Sequence, residues 1–204
     1  MGGNRDKTLE WARNIELQGI DPVVHLTCIT ETKEKILAQL KEMQELGIGN
    51  ILALRGDIPG EGTEEIGEFK YAAELVSFIK KQAPDFCLGV AGYPEKHLQA
   101  VSIEADIKYL KAKVDAGADY IITQLFFDNR FFFDFVTRCQ QAGIKVPIIP
   151  GIMIITSLKQ IQKMTEMCGA KIPSALMARL EAAGEDNQVI QQIGIEFAVL
   201  QCRE

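Results

Sequence analysis

The chain has 204 residues, 47% apolar and 25% charged, enough for one domain with a proper core and a little short for two; this composition excludes disordered, collagen-like and low-complexity classes. Twenty-eight acidic residues against 22 Lys and Arg leave a formal charge of −6, which argues against nucleic-acid and anionic-membrane partners. No apolar run reaches the length of a membrane span, and the opening MGGNRDKTLE has no hydrophobic signal core, so a cytoplasmic location is expected.

Helices and strands alternate along the chain. Helical spacing predicts a helix over Lys7–Gln18, followed by the β-branched run Val23–Cys28. Ile36, Leu37, Leu40, Met43 and Leu46 predict a helix over Thr32–Leu46, with Gly47 as its stop. The strand Asn50–Leu54 closes into Arg55-Gly56-Asp57, and a Gly- and Glu-rich loop follows from Ile58 to Glu68. A helix over Phe69–Gln82 leads to the strand Cys87–Gly92 and then to Tyr93-Pro94. Next come the helix Ser102–Ala116, the strand Tyr120–Gln124, the helix Phe131–Ala142 and the strand Val146–Ile149, which ends at Pro150-Gly151. From Ser157 onward the pattern is helical only.

Strands therefore begin near 23, 50, 87, 120 and 146, in steps of 27, 37, 33 and 26 residues. That cadence is a repeated βαβ unit, and right-handed crossovers make the sheet parallel. An open doubly wound sheet and a (β/α)8 barrel both fit, although a barrel typically takes about 250 residues. No GxGxxG or GxxxxGK[ST] follows any strand, which weakens the dinucleotide-fold and P-loop alternatives.

Polar groups gather instead at strand C-termini: His25 and Thr27, Arg55 and Asp57, Tyr93, and Gln124. Side chains at that end of a barrel strand point into the ligand mouth. Alternation places His25 with Thr27, and Arg55 with Asp57, on common faces. Each residue also has a plain structural reading. Asp57 would cap its turn or pair with Arg55. A lone histidine in an apolar strand is more often a satisfied structural residue. Gln124 would bond neighbouring backbone, or would offer a donor and an acceptor to a heterocycle edge. Phe126, Phe127, Phe131, Phe132, Phe133 and Phe135 read as helix packing, and Lys111 and Lys113 as solvated helix face. The Arg-Gly-Asp tripeptide matches a cell-adhesion motif by chance. Five cysteines, 28, 87, 139, 168 and 202, have no CxxC spacing, and two histidines make no multi-histidine metal site. Spacing alone yields an α/β protein with a polar mouth and no assigned reaction.

Five segments make the reading specific: PVVHLTC (22–28), NILALRGD (50–57), VAGYPEKH (90–97), KVDAGADYIITQLFFD (113–128) and IIPGI (148–152). Taken in this order, they resemble the methylenetetrahydrofolate reductase family. The resemblance implies a (β/α)8 TIM barrel with FAD at the C-terminal mouth, here a single partial barrel domain over 1–204 with about five strands. It implies reduction of 5,10-methylenetetrahydrofolate to 5-methyltetrahydrofolate with NADH or NADPH as donor, a step of one-carbon metabolism and methionine biosynthesis. By motif position, His25, Leu54, Arg55, Gly56, Asp57, Ala72, Tyr93, His97, Ala100, Asp106 and Lys113 would line the FAD site. Asp57 would also act in catalysis and on the folate, Gln124 would meet the pterin or nicotinamide, and Gln160 would touch the folate. No metal is implied.

The family pattern also contains two earlier strands, one of them bearing a catalytic glutamate, and a last strand with a folate-contacting arginine. These have no counterpart in the sequence, so strands three to seven of eight are expected. Ile154 stands where proline is usual, and Ala112 where some members carry a basic residue. Open sheet edges favour pairing with another chain, so a homo-oligomer is expected. The alternative reading is a non-catalytic flavin-binding or assembly module derived from the same barrel.

Overall fold

The computed structural model describes residues 5–57 and 67–204. The loop expected at 58–68 thus lies outside the described residues, apart from Gly67 and Glu68. The order is α1 (Arg5–Glu16), β1 (Val23–Thr27), α2 (Lys33–Glu45), β2 (Asn50–Leu54), α3 (Ala72–Gln82), β3 (Cys87–Gly92), α4 (Ile103–Asp115), β4 (Tyr120–Thr123), α5 (Asn129–Gln141), β5 (Ile148–Ile149), α6 (Leu158–Cys168), α7 (Ser174–Ala182) and α8 (Asn187–Arg203). The five strands form one sheet in the order β1-β2-β3-β4-β5. β1 pairs with β2 in parallel, Val23 opposite Asn50, and β2 pairs with β3 in parallel, Asn50 opposite Cys87. The predicted cadence of parallel βαβ units is what forms.

Local chemistry sets the boundaries. Thr32, Asp128, Ser157 and Asp186 each cap a helix by accepting backbone N–H groups of its first turn, which satisfies donors the helix cannot. Gly47 and Gly169 follow helix ends with φ of +79° and +78°, a conformation that suits glycine. The third helix starts at Ala72, three residues later than its periodicity predicts. The preceding backbone is engaged elsewhere: the Lys70 N–H donates to the Glu74 carboxylate at 2.8 Å, and the Glu68 N–H donates to the Glu31 carbonyl at 3.0 Å. Phe69 is nevertheless buried and meets Phe78 edge to face, which explains why it extends the apolar pattern. β5 starts two residues later than predicted because Pro147 has no N–H for a ladder.

The chain divides into two compact units. One comprises Met1–Ala91 and Ala112–Ile121, the other Gly92–Lys111 and Ile122–Glu204. In the first, Ile36, Leu40, Ile51, Leu75, Ile79, Leu88 and Ile121 are buried. A polar bolt holds its edge. Lys80 donates to Asp119 at 2.8 Å and to the Phe86 carbonyl at 2.9 Å, and the same Asp119 oxygen accepts the Leu88 N–H at 2.7 Å. Gly117 makes room for this, since a β-carbon there would lie 2.8 Å from Lys80 Cγ. In the second unit, Leu125, Phe127, Ile155, Ile161, Leu176, Leu180, Ile190 and Ile193 form one apolar cluster.

Candidate functional site

In the first unit the segments following β1 and β2 are laced together. The Cys28 and Ile29 N–H groups both donate to the Arg55 carbonyl, at 3.1 and 2.9 Å. Gly56 then turns with φ +86°, and a β-carbon on it would lie 3.1 Å from Thr27 Cβ, so glycine suits both the conformation and the space. The alternation predicted for Arg55 and Asp57 stops at Leu54, because that glycine ends the strand geometry. Arg55 is half-buried and its Nε donates to the Gly56 carbonyl at 3.2 Å. It does not pair with Asp57, whose exposed carboxylate has no hydrogen bond or ion pair among the described residues. His25 shares the exposed face of β1 with Val23 and Thr27 while Val24 and Leu26 are buried. The His25 imidazole makes no hydrogen bond among the described residues, so it is not the satisfied structural residue of the plain reading. Ala72 opens α3 and Leu54 ends β2, both half-buried.

Lys113, also of the first unit, is not solvated helix face. It is half-buried, and its ammonium donates to the Ala91 carbonyl near the end of β3. Ala112 beside it is exposed.

In the second unit the turn after β3 is ordered by its own side chains. Tyr93 and His97 meet edge to face, with ring centroids 4.6 Å apart. The His97 N–H donates to Asp106 in the first turn of α4 at 2.8 Å, and His97 Nδ1 accepts from Gln99 N at 3.1 Å. Ala100 is buried. Gln124 lies just past β4. Its N–H donates to the Gly92 carbonyl at 2.8 Å and its Oε1 accepts the Leu125 N–H at 2.9 Å. The backbone-bonding reading therefore holds for the amide oxygen, while the NH2 group makes no hydrogen bond among the described residues. Tyr93 and Gln124 line one small cavity together with Pro94, Glu95, Lys96, Leu125, Cys168 and Ala170. Gln160 is exposed in the first turn of α6, with Thr156 donating to its Oε1 at 3.4 Å.

Three residues here were not singled out as site residues by their sequence. Thr123, buried at the end of β4, accepts the Gly151 N–H on its hydroxyl at 2.9 Å. Its place before Gln124 in an otherwise apolar strand was the available signal. Glu95 lines the cavity, accepts the Lys171 N–H at 3.1 Å with one oxygen, and buries the other without a hydrogen bond. Burial pushes its carboxyl above the ordinary range against the opposing pull of Lys171, and Asp128 adds to the rise. Lys96 adopts φ +83°, for which the sequence carries no signal.

The cysteines behave as small apolar residues in part. Cys28 and Cys139 are buried, with thiols pushed up to about 12 by desolvation. Cys87 and Cys168 are half-buried, whereas Cys202 is exposed. Among the described residues no group of three or more His, Cys, Asp or Glu is placed to hold a metal ion, and no helix is long and apolar enough to cross a membrane. A recess in the first unit lined by Lys33, Phe69, Lys70, Phe78 and Lys81 contains none of the sequence-predicted site residues.

A family model for methylenetetrahydrofolate reductase matches residues 1–204. The chain belongs to the methylenetetrahydrofolate reductase family. It is 40% identical over 218 residues to methylenetetrahydrofolate reductase (NADH) 1 of Arabidopsis thaliana, covering 100% of this chain and 37% of that protein. It is 41% identical over 199 residues to the 5,10-methylenetetrahydrofolate reductase of Salmonella typhimurium, covering 97% of this chain and 66% of that protein. A probable methylenetetrahydrofolate reductase (NADPH) of Caenorhabditis elegans is 39% identical, with 94% and 29% covered. The chain thus spans about a third of these plant and animal relatives and about two thirds of the bacterial one. Among solved structures, an uncharacterised Clostridium thermocellum protein described as binding two copies of 5-methyl-5,6,7,8-tetrahydrofolic acid matches with TM-score 0.53 at 17% identity, covering 99% of this chain and 79% of that one. Phosphonopyruvate hydrolase matches with TM-score 0.57 at 14% identity, covering 89% and 64%. Structures so distant in sequence speak to fold alone. The reductase family and the parallel α/β sheet place the fold in the (β/α)8-barrel class.

The flavin that the family resemblance implies can be tested against the donor set. Asp57 is an exposed carboxylate with no partner among the described residues, Gln124 keeps its NH2 uncommitted, and Tyr93 and His97 offer aromatic rings on an ordered turn. Hydrogen-bonding edges and ring faces suit an organic heterocyclic cofactor.

Proposed function

We propose that this chain is the catalytic part of an FAD-dependent reductase that converts 5,10-methylenetetrahydrofolate to 5-methyltetrahydrofolate, with NADH or NADPH as hydride donor. The observation that carries the reading is the match of the family model along the whole length of the chain; Tyr93 and Gln124, two strand-end residues drawn from separate family motifs, meet beside one small recess.

FAD would be held by His25, Leu54, Arg55, Gly56, Asp57, Ala72, Tyr93, His97, Ala100, Asp106 and Lys113. Bound there, it supplies hydride transfer from the nicotinamide to the folate. The protein contributes binding and electrostatics. Asp57 places an anionic field at the strand end, which lowers the flavin potential and stabilises the cationic iminium form of the folate substrate. Gln124 offers its free NH2 to the pterin or nicotinamide, and Gln160 contacts the folate. Asp106 acts by holding the His97 backbone, and Lys113 by bracing the Ala91 carbonyl, so both order the site around the cofactor. Both substrates use the same flavin, so the reaction order is ping-pong. We place residues 1–204 in one catalytic domain that self-associates in the cytoplasm.

The decisive experiment is an anaerobic titration of the purified chain, loaded with FAD, with NADH and then with methylenetetrahydrofolate, following the flavin absorbance. Bleaching by NADH and recovery on addition of the folate support the reading. A yellow chain that neither NADH nor NADPH bleaches overturns it in favour of a flavin-binding module, and a chain that takes up no FAD overturns it altogether.

A further inference from the structure

Among the described residues, Lys96 alone of the non-glycine residues has a left-handed backbone, with φ +83°. A β-carbon disfavours that conformation, and glycine would adopt it without strain. The surrounding bonds show what holds it. The Lys96 N–H donates to the Tyr93 carbonyl at 3.1 Å, closing the turn. The Lys96 ammonium donates to the Ala100 carbonyl at 2.6 Å and to the His97 carbonyl at 3.2 Å. One side chain therefore spans the turn and gathers two carbonyls from its far side. Glycine would relieve the backbone but bring no donor. An apolar chain of similar length would keep the strain and leave both carbonyls without their ammonium partner.

Between these anchors lies the Tyr93–His97 ring pair, with interplanar angle 86°. His97 is flanked by the carbonyl that Lys96 holds and by its own N–H bond to Asp106. We propose that Lys96 is a positioning residue: its ammonium locks the 93–100 turn so that Tyr93 and His97 present a fixed pair of rings to the flavin nucleotide. This rests on the flavin reading above for its ligand, and on the turn geometry alone for its mechanism. Strain held by surrounding bonds is common where a site is preorganised.

The test uses Lys96→Met, Lys96→Gly and Lys96→Arg in the full chain. The sequence has two histidines, so the imidazole Cε1–H protons give two NMR signals, assigned with His25→Gln. In the chain without flavin, Met and Gly are expected to move the His97 signal as the Tyr93 ring current is lost, while Arg retains it. FAD affinity, read by quenching of flavin fluorescence, is expected to fall about tenfold for Met and Gly and to be largely retained by Arg. Lys96→Gly keeps the test open if Lys96→Met does not fold, because it relieves the backbone strain. An unmoved His97 signal in Lys96→Gly overturns the proposal, even if the melting temperature changes. A moved signal with unchanged FAD affinity also overturns it, since the turn would then not serve the flavin. If the unmodified chain takes up no FAD, the flavin reading fails on its own, and the His97 signal still decides whether Lys96 orders the rings.

Discussion

The Gly151 N–H donates to the Thr123 hydroxyl at 2.9 Å, and a β-carbon on Gly151 would lie 2.2 Å from the Thr123 carbonyl oxygen. The atom in the way is backbone at the end of β4, so it cannot swing aside. Gly151→Ala is expected to destabilise the chain by about 2–4 kcal/mol and to displace the neighbouring Gln124. Thr123→Val exchanges the hydroxyl for a methyl group, which removes the acceptor of the Gly151 N–H and should cost about 1 kcal/mol. Urea denaturation of the two variants checks the ranking; equal stability of Gly151→Ala and the unmodified chain contradicts the close approach.

Glu95 makes a pH-dependent contribution of definite sign. Burial holds its carboxyl above the ordinary range, opposed by the Lys171 backbone and ammonium and reinforced by Asp128. The folded chain then keeps a proton that the unfolded chain has released, so stability from this group is greatest below the ordinary carboxylate range and falls as pH rises through the raised value. Glu95→Gln keeps an acceptor for Lys171 N and removes the charge. Its melting temperature should exceed that of the unmodified chain near about pH 8 and converge with it near about pH 4. A constant difference across that range would show that Glu95 does not titrate this way.

Thiol reactivity should follow burial. Cys28 and Cys139, with thiols near about 12, stay protonated under native alkylation, whereas Cys202 is exposed. Iodoacetamide at about pH 8 is expected to modify Cys202 first and to reach Cys28 and Cys139 only after unfolding. Peptide mass mapping over time reads the order directly.

Asp57→Asn in the FAD-loaded chain should raise the flavin midpoint potential, because an anionic field is lost, and slow folate reduction at least about tenfold more than flavin reduction. Stopped-flow measurement of each half-reaction separates the two. Equal slowing of both, with no change in potential, would leave Asp57 without the electrostatic role.

How far the sequence carried depended on where the information resides. The bounds of β2 and β3 match the predicted ones because continuous apolar runs end in Arg55-Gly56 and Tyr93-Pro94, where local signals are strong. The start of α3 slipped because the Glu68 N–H is drawn to the Glu31 carbonyl and the Lys70 N–H to the Glu74 carboxylate, which periodicity does not register. His25 and Lys113 exchanged their plain readings. The histidine in an apolar strand is exposed, and the lysine on a helix reaches a strand carbonyl. Burial and reach belong to the tertiary arrangement, and residue type alone does not encode them. The cavity residues Tyr93 and Gln124 were legible as strand ends. Lys96 and Glu95 were not, because a backbone angle and a buried oxygen leave no mark on composition or spacing.

The bolt formed by Lys80, Asp119 and the Leu88 N–H carries an evolutionary corollary. Since Lys80 crosses the spot a side chain at 117 would occupy, positions 80, 117 and 119 cannot drift separately. A lineage that exchanges the aspartate must find another acceptor for the lysine, and one that enlarges residue 117 must both move residue 80 and change a backbone held at φ +115°. Substitutions in this corner should arrive as a set, with single intermediates purged by selection.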